Sequence, residues 1–289
     1  MARAPADHRS AGRGRGRRGA PPQGLLRRGA PVTNRYVEVA VETARQAGAL
    51  LLDEFQKPRQ HEYKGGVDLV TAADRRSEAF IVERLGTYFP QHAIVGEEGT
   101  RRESESDYCW YVDPLDGTTN FAHRYPCFAV SLALVRGEEI LAGVVHDPVR
   151  GETFHAAAGE GAWLNQKRIR VSATERLTES LLATGFPTRK RHESPNIHYY
   201  YRFTLLSHGV RRDGSAALDL CSVAAGRFDG FWEFNLQSWD VGAGILLVRE
   251  AGGVVTDFKG MPFHLGGKEI AASNGRIHPE LQQVFAELA

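Results

Sequence analysis

The stretch that most constrains the fold lies at residues 110–120, where strand-forming residues are followed by two acids, a proline and a glycine. Its sequence is Trp-Tyr-Val-Asp-Pro-Leu-Asp-Gly-Thr-Thr-Asn. Aromatic and β-branched residues favour a strand, and Pro114 and Gly117 predict that the strand stops and the chain turns. Asp113 and Asp116 should therefore lie together at the end of this strand.

Two carboxylates beside a glycine-threonine turn indicate a site for a metal ion and a phosphate group. Hard divalent cations such as Mg²⁺ take oxygen ligands and are usually held by one or two carboxylates together with substrate phosphate. The turn at Gly117, Thr118 and Thr119 adds backbone N–H groups that suit an anion. The stretch therefore predicts chemistry on a phosphate at a metal site.

The spacing of the acids separates this motif from other phosphate-handling patterns. Haloacid dehalogenase phosphatases use Asp-x-Asp-x-Thr, in which the first aspartate is the nucleophile, whereas two residues separate Asp113 from Asp116. We therefore favour attack by metal-activated water over a phospho-aspartyl intermediate. The sequence has no Gly-Lys-Ser/Thr and no Gly-x-Ser-x-Gly, so it contains neither a Walker A loop nor a nucleophile elbow.

Hydrophobic periodicity predicts a mixture of helices and strands. Apolar residues from Val37 to Phe55 recur at helical spacing before Pro58, and Thr71 and Asp74 have the spacing of a capping box that opens a second helix. Further helices are predicted at about 193–207, 216–225, 239–251 and 278–288. Strands are predicted at 93–95, 108–112, 127–135, 140–146, 152–157, 162–172 (a hairpin), 181–184, 229–234, 254–256 and 269–273.

This order of elements predicts an α+β fold with helices layered on mixed or antiparallel sheets. No internal repeat or long linker interrupts it. We expect one catalytic domain at 33–289, built from two tightly packed halves at about 33–180 and 181–289.

Cysteine content and apolar runs bear on location. Three cysteines without Cys-x-x-Cys spacing indicate neither a disulfide framework nor a zinc site, which fits a reducing cytoplasm. The longest apolar run, 127–135, is far shorter than the roughly 20 residues that cross a bilayer, and no apolar secretory signal region is present. We expect a cytoplasmic protein with no membrane contact.

Residues 1–32 form a segment of different composition. Residues 1–30 hold eight arginines and one aspartate, a charge of +7, so the other 259 residues carry −6 of the overall +1. A segment rich in arginine, glycine and proline cannot build a core, and we expect a disordered tail. Contact with RNA or another polyanion through arginine is one interpretation; a solvated tail, or a start codon placed too early, is the other.

Four blocks, in this order, give the chain a resemblance to the inositol monophosphatase family in its bacterial branch. They are Asp68–Asp74, Gly96–Glu98, Asp113–Asn120 and Trp239–Gly244 followed by Glu250–Gly253, and the match runs from about Tyr36 to the C-terminus. The resemblance implies an αβαβα layered sandwich, a homodimer, and a Mg²⁺-dependent, typically lithium-sensitive phosphatase. The arginine-rich tail has no counterpart in the family.

The resemblance also implies two to three Mg²⁺ ions with oxygen ligands. Glu97, Asp113 and the main-chain carbonyl of Leu115 match the ligands of a first ion. Asp113, Asp116 and Asp240 match those of a second, and a third ion binds weakly near Glu97. All of these are hard oxygen donors of the kind Mg²⁺ prefers.

Catalytic roles follow from the same resemblance. Asp74 matches an acid that hydrogen-bonds the threonine at position 118, and Glu97 with the Thr118–Asp74 pair would orient the attacking water. Backbone N–H groups of Gly117 and Thr118 would hold phosphate oxygens, and Asp240 would position the water that protonates the leaving alkoxide.

The alcohol half of the substrate would contact positions that match inositol-binding residues of the family. These are Asp116, Gly214, Ser215, Ala216 and Glu233. Lys64 matches a lysine near a mobile substrate loop, although a solvated loop lysine is an equal interpretation. Without the family, Glu233 would be read as an ordinary acid at a strand edge.

The predicted function is hydrolysis of the phosphate monoester of a small polyol or sugar, with myo-inositol 1-phosphate as the first choice. Histidinol phosphate, fructose 1,6-bisphosphate and 3′-phosphoadenosine nucleotides stay open, because related enzymes share the metal motifs and differ in the alcohol pocket. The alternative of a different class is an RNA- or polyanion-binding protein that acts through the tail, with the phosphatase part retained as a scaffold.

Overall fold

The computed structural model describes residues 32–57, 72–186 and 194–288. The predicted tail up to residue 31, the cap at Thr71 and Lys64 lie outside these ranges. The helices are α1 (Val32–Gln56), α2 (Ala72–Tyr88), α3 (Thr118–Ala122), α4 (Asn196–Leu206), α5 (Ala216–Ala224), α6 (Ser238–Glu250) and α7 (His278–Leu288). No helix in these ranges is both long enough and apolar enough to cross a membrane.

Thirteen strands of the described ranges form two mixed sheets. The first sheet has the order β2-β1-β3-β4-β5-β6-β7-β8 and the second the order β10-β9-β11-β13-β12. The strands are β1 (Ala93–Gly96), β2 (Arg101–Arg102), β3 (Tyr108–Asp116), β4 (Ala129–Arg136), β5 (Glu139–Asp147), β6 (Glu152–Ala157), β7 (Gly161–Leu164), β8 (Lys167–Arg168), β9 (Leu181–Thr184), β10 (Gly209–Arg211), β11 (Gly230–Phe234), β12 (Val254–Thr256) and β13 (Glu269–Ser273). β1 runs parallel to β3, and β9 runs parallel to both β10 and β11, while the other pairs are antiparallel.

Helices and sheets alternate in five layers, as the alternation of side chains along β4 illustrates. Val130, Leu132 and Leu134 enter a core shared with α1 and α2, whereas Ala129 and Ala133 enter a core shared with α5 and α6. A third core joins the second sheet to α4 and α7. The α+β layered architecture predicted from the sequence is confirmed.

The end of β3 differs from the prediction, because Pro114 does not end the strand. Asp113 lies opposite Ser131 and Asp116 lies opposite Ala129, so three steps along β3 match two steps along β4. This bulge accommodates the proline, which has no N–H to donate to a neighbouring strand. The strand therefore continues to Asp116 and carries both acids.

Gly117 makes the turn that Pro114 does not make. Its backbone is left-handed, with φ +96°, and a Cβ at this position would lie 2.8 Å from the Cys127 carbonyl oxygen. Instead of a plain turn, the next residues form the short helix α3. Only glycine fits both the conformation and the close approach.

Two short strands, β2 and β10, have no counterpart in the sequence prediction. β2 has two residues and β10 has three. Both contain exposed arginines, Arg101 and Arg211, and both lie at sheet edges. Segments this short carry no measurable alternation of apolar and polar residues, so only the neighbouring strand identifies them.

Candidate active site

Parallel pairing of β1 with β3 brings the first two acids together. Gly96 lies opposite Val112, and the Glu97 N–H donates to the Val112 carbonyl oxygen over 3.1 Å. Glu97 therefore emerges beside Asp113, and the two carboxyl groups share a hydrogen bond. Residues 16 positions apart in the sequence thus become neighbours through strand register.

Asp113 lies at the centre of a group of four carboxylates. Its side chain is 1% exposed, and burial, followed by repulsion from Glu97, Asp116 and Asp240, raises the pKa of its carboxyl well above the ordinary value. Burial also raises the pKa of Asp240. A hydrogen bond from the Gln237 N–H lowers it in part, and repulsion from Asp116 and Glu97 raises it further. No positively charged side chain of the described ranges is among the main influences on the pKa of Asp113 or Asp240.

The outer members of the group have smaller pKa shifts. The Glu97 side chain reaches solvent, yet the protein around it desolvates the carboxyl and raises its pKa to about 7; the hydrogen bond with Asp113 opposes this and the charges of Asp116 and Asp74 add to it. Burial raises the pKa of Asp116 to about 6, and hydrogen bonds from Ser215 and neighbouring backbone N–H groups limit the rise.

Asp116 joins the end of β3 to the start of α5. Its Oδ2 accepts hydrogen bonds from Ser215 Oγ (2.6 Å) and from the Ala217 N–H (2.8 Å). Ser215 is the N-cap of α5, and its Oγ accepts from the Leu218 N–H over 3.3 Å. Because the Ser215 hydroxyl donates to Asp116, a substrate contact at this residue would come from its main chain.

Thr118 connects the motif to α2. Its Oγ1 lies 3.3 Å from Asp74 Oδ1 and 3.1 Å from the Leu115 carbonyl oxygen. A hydroxyl has one proton to donate, so it serves one of these acceptors at a time and can accept from a water molecule. The Leu115 N–H donates to Asp113 Oδ1 over 3.0 Å, which fixes the chain around the bulge.

Glu233 on β11 approaches the group from the second sheet. It is 7% exposed, and burial, followed by repulsion from Asp240 and Asp116, raises its pKa to about 8, while Arg212 acts in the opposite direction. Gly185 makes room for it, since a Cβ there would lie 2.3 Å from a Glu233 carboxylate oxygen. The structure therefore places Glu233 beside Gly185 and within electrostatic reach of Asp240 and Asp116.

Two residues near Glu233 are absent from the sequence prediction. Asp219, in the first turn of α5, is 2% exposed, and burial followed by repulsion from Asp213, Glu233 and Asp116 raises its pKa well above the ordinary value. Arg212 places Nη1 3.2 Å from the point that a Cβ on residue 214 would occupy. The Gly-Ser-Ala-Ala block indicated this region, but a helical acid and a loop arginine carry no signal of their own.

Asn120 holds the loop that presents Gly214. Its Nδ2 donates to the carbonyl oxygens of Asp213 (2.7 Å), Cys127 (2.8 Å) and Gly214 (3.3 Å). Gly214 itself is left-handed, with φ +83°. The geometry of this loop therefore depends on the residue that ends the Asp113–Asn120 block.

The chemistry of the donor set fits divalent cations. Four carboxylates and a main-chain carbonyl present only oxygen, and the Glu97 and Asp113 carboxyls lie within hydrogen-bond reach of each other, where a cation would satisfy both. As they stand, no three acidic, histidine or cysteine side chains of the described ranges form a group that could hold one ion. The aspartates instead accept protein hydrogen bonds, so we expect side chains to turn toward an ion when it binds.

Comparison with known proteins gives matches over most of the chain. The model of the inositol monophosphatase family matches residues 33–289. The inositol-1-monophosphatase of Synechocystis is 46% identical over 254 residues, which cover 87% of this chain and 88% of that protein. Nus factor SuhB of Escherichia coli is 44% identical over 246 residues, which cover 83% of this chain and 92% of that protein.

A solved structure shares both the sequence and the fold. The inositol monophosphatase of Anabaena is 42% identical, with a TM-score of 0.80 over 89% of this chain and 97% of that one. Layered fold, ordered motifs and carboxylate group together define a phosphatase. The chain belongs to the inositol monophosphatase family, as the sequence motifs predict.

Proposed function

We propose that this phosphatase is a Mg²⁺-dependent phosphomonoesterase for a small polyol phosphate, with myo-inositol 1-phosphate as the first candidate. The observation that carries the proposal is the group formed by Glu97, Asp113, Asp116 and Asp240. Burial raises the pKa of each carboxyl, repulsion adds to the rise in Glu97, Asp113 and Asp240, and no positive side chain of the described ranges is among the main influences on Asp113 or Asp240. Such a group is costly unless cations bind to it.

Glu97, Asp113 and the Leu115 carbonyl would hold one ion, and Asp113, Asp116 and Asp240 a second. When bound, such ions act as Lewis acids on phosphate oxygens and lower the pKa of water. Asp113 belongs to both sets, and it is the most buried of the four acids. The position of Asp113 at the bulge of β3 would therefore determine where both ions bind.

The chain's own groups would orient water and phosphate. The Thr118 hydroxyl, within reach of Asp74 Oδ1 and the Leu115 carbonyl oxygen, donates to one of them and can accept from the attacking water. The first N–H groups of α3 have no partner within the helix because of their position, and they would donate to phosphate oxygens. Asp240 would accept a hydrogen bond on the side from which the alcohol leaves.

Charges around the alcohol side favour a neutral polyol. The charges of Asp213 and Glu233 act on Asp219 there, and Arg212 is the one positive side chain among the main influences on Asp219 and Glu233 in the described ranges. A leaving group with a second phosphate would bring further negative charge beside these carboxyls, and their ionised forms would repel it. This supports inositol phosphate over fructose 1,6-bisphosphate or 3′-phosphoadenosine nucleotides; histidinol phosphate, whose leaving group is a cation, remains a competitor.

A phosphate-release panel tests the proposal. The protein is assayed with Mg²⁺ on myo-inositol 1-phosphate, histidinol phosphate, fructose 1,6-bisphosphate and a 3′-phosphoadenosine nucleotide, each with and without Li⁺. We expect the highest kcat/KM on inositol 1-phosphate and inhibition by Li⁺. A bisphosphate substrate that exceeds inositol 1-phosphate would overturn the assignment of the alcohol side.

Three further properties belong to the proposal through the family. They are a homodimer, a cytoplasmic location, and a catalytic domain at 33–289 that is separate from the tail. Size-exclusion chromatography with light scattering checks the first, and fractionation of the source cells checks the second. A variant that lacks residues 1–31, and so keeps α1 complete, checks the third by its activity and melting temperature.

A second proposal concerns the tail, which would bind RNA or another polyanion. The charge of +7 in residues 1–30 supports it. Binding of RNA to the full chain and to the variant without residues 1–31 is measured across salt concentrations. Affinity that falls steeply with salt and vanishes with the deletion is expected; equal affinity of both chains would remove the tail from this role.

A further inference from the structure

One face of α2 contacts both segments that carry the first pair of acids. Asp74, Ser77 and Glu78 are three and four residues apart, so they lie on the same side of the helix. All three are buried, at 1%, 0% and 4% exposure. Buried polar side chains require partners, and those of this face are found in the turn after β1 and in the end of β3.

Glu78 fixes the turn that carries Glu97. Its Oε2 accepts from the Glu98 N–H over 2.9 Å, and its Oε1 accepts from the Thr100 N–H over 3.1 Å and the Thr100 hydroxyl over 2.5 Å. Gly96 permits this approach, since a Cβ there would lie 2.3 Å from Glu78 Oε2. One carboxylate thus holds both sides of the turn, with Glu97 directly before the first contact.

Ser77 holds the bulge that carries Asp113. Its hydroxyl donates to the Pro114 carbonyl oxygen over 2.9 Å. This carbonyl lies inside the bulge, between the two residues at which the register with β4 shifts. One turn earlier on the same face, Asp74 accepts from Thr118. The face therefore contacts the chain before, within and after the acidic motif.

We propose that Ser77 and Glu78 are positioning residues that set the separation between the Glu97 and Asp113 carboxylates and so the affinity of the first metal site. The inference rests on the proposed function, because Glu97 and Asp113 are ligands only if the site binds metal. Glu97 and Asp113 approach from different segments, and a rigid helix that bonds to both segments holds them at one distance. Groups that orient metal ligands commonly change metal affinity by about 10- to 100-fold when they are altered.

The test uses Glu78→Gln, which keeps the shape but replaces an acceptor oxygen by an NH₂ group that cannot accept from Glu98 or Thr100. Binding of Mg²⁺ to the metal-free protein is measured by calorimetry, with melting temperature as the check on folding. We expect a Kd raised by about 10-fold or more, with KM for inositol 1-phosphate little changed at saturating Mg²⁺. Glu83→Gln, an exposed acid on the same helix, is the matched control and should bind Mg²⁺ like the wild type.

Ser77→Ala keeps the proposal testable if Glu78→Gln folds poorly. It removes only the hydroxyl that reaches Pro114, and we expect a raised Kd for Mg²⁺ from the Asp113 side. In the double variant the Kd for Mg²⁺ should rise by less than the product of the two single increases, because both residues act on the separation between the Glu97 and Asp113 carboxylates.

The outcomes separate this inference from the proposed function. If the wild type binds Mg²⁺ and hydrolyses inositol 1-phosphate while both variants bind Mg²⁺ as tightly as Glu83→Gln does, the positioning role is refuted. It is refuted as well if the variants lower only the melting temperature. If the wild type neither binds Mg²⁺ nor releases phosphate, the proposed function itself has failed.

Discussion

Glu233 provides a test of the electrostatics because its burial has a measurable cost. The side chain is 7% exposed, and its pKa is raised to about 8 from an ordinary 4.5, first by burial and then by repulsion from Asp240 and Asp116. The folded protein therefore holds this proton more tightly than the unfolded chain. Titration of Glu233 does not lower the free energy of unfolding below pH 4.5. The free energy falls as the pH rises from 4.5 to 8, and this decrease is complete above pH 8.

The magnitude follows from the shift. One pKa unit corresponds to about 1.4 kcal/mol, so raising the pH from 5.5 to 8.0 should cost the wild type roughly 3 kcal/mol through this group. Glu233→Gln keeps the shape and removes the titration. The free energy of unfolding of the variant minus that of the wild type should therefore be about 3 kcal/mol larger at pH 8.0 than at pH 5.5.

Urea unfolding of the metal-free proteins at both pH values measures this difference. Other carboxylates contribute to the pH dependence of both proteins, and the comparison largely removes them. Glu160→Gln is the matched control for the loss of one carboxylate, because Glu160 is an exposed acid in the turn between β6 and β7. If the difference in free energy of unfolding between Glu233→Gln and the wild type is the same at both pH values, the claim that burial and repulsion raise the pKa of Glu233 is refuted. The variant should also have a higher KM for inositol 1-phosphate.

Three other predictions follow from the site. Mg²⁺ should bind about tenfold more weakly at pH 6 than at pH 8, because Glu97, with its pKa raised to about 7, takes up a proton that the ion must displace; an equal calorimetric Kd would contradict this. Gly117→Ala should lower the free energy of unfolding by roughly 2 kcal/mol. This loss should be larger than that of Gly137→Ala, because Gly137 also has a positive φ but has open space around it. Arg212 lies beside Gly214 and its charge acts on Glu233 and Asp219, so we expect it to donate to a substrate hydroxyl; Arg212→Ala should raise KM for inositol 1-phosphate about tenfold, as for one charge-assisted hydrogen bond, whereas Arg211→Ala should leave it unchanged.

Local patterns were sufficient for the elements that bury a regular face. The period of α1 identifies its buried face, and the apolar run at 127–135 identifies β4, without any knowledge of their partners. The end of β3 needed more, because proline and glycine both indicate a turn. Only the register against β4 shows that the chain bulges at Pro114 and turns at Gly117.

The candidate site divides in the same way. Motif chemistry indicated Asp113 and Asp116, the family resemblance added Glu97 and Asp240, and the structure brings the four together. Contacts between distant segments could not be predicted from the sequence. The Ala217 N–H donates to Asp116 from 101 residues away, and the same helix, α5, carries Asp219. Glu78 had a signal that could have been used, because it lies four residues after Asp74 and thus on the same helical face.

The most direct test of the central claim is phosphate release from myo-inositol 1-phosphate after metal removal and after Mg²⁺ is added back, for the wild type and Asp113→Asn side by side. We expect the wild type to lose activity with a chelator and regain it with Mg²⁺. The folded Asp113→Asn variant should stay about a thousandfold lower, which corresponds to several kcal/mol of lost charge stabilisation. Wild-type turnover that survives metal removal, or full turnover by Asp113→Asn, would contradict the claim.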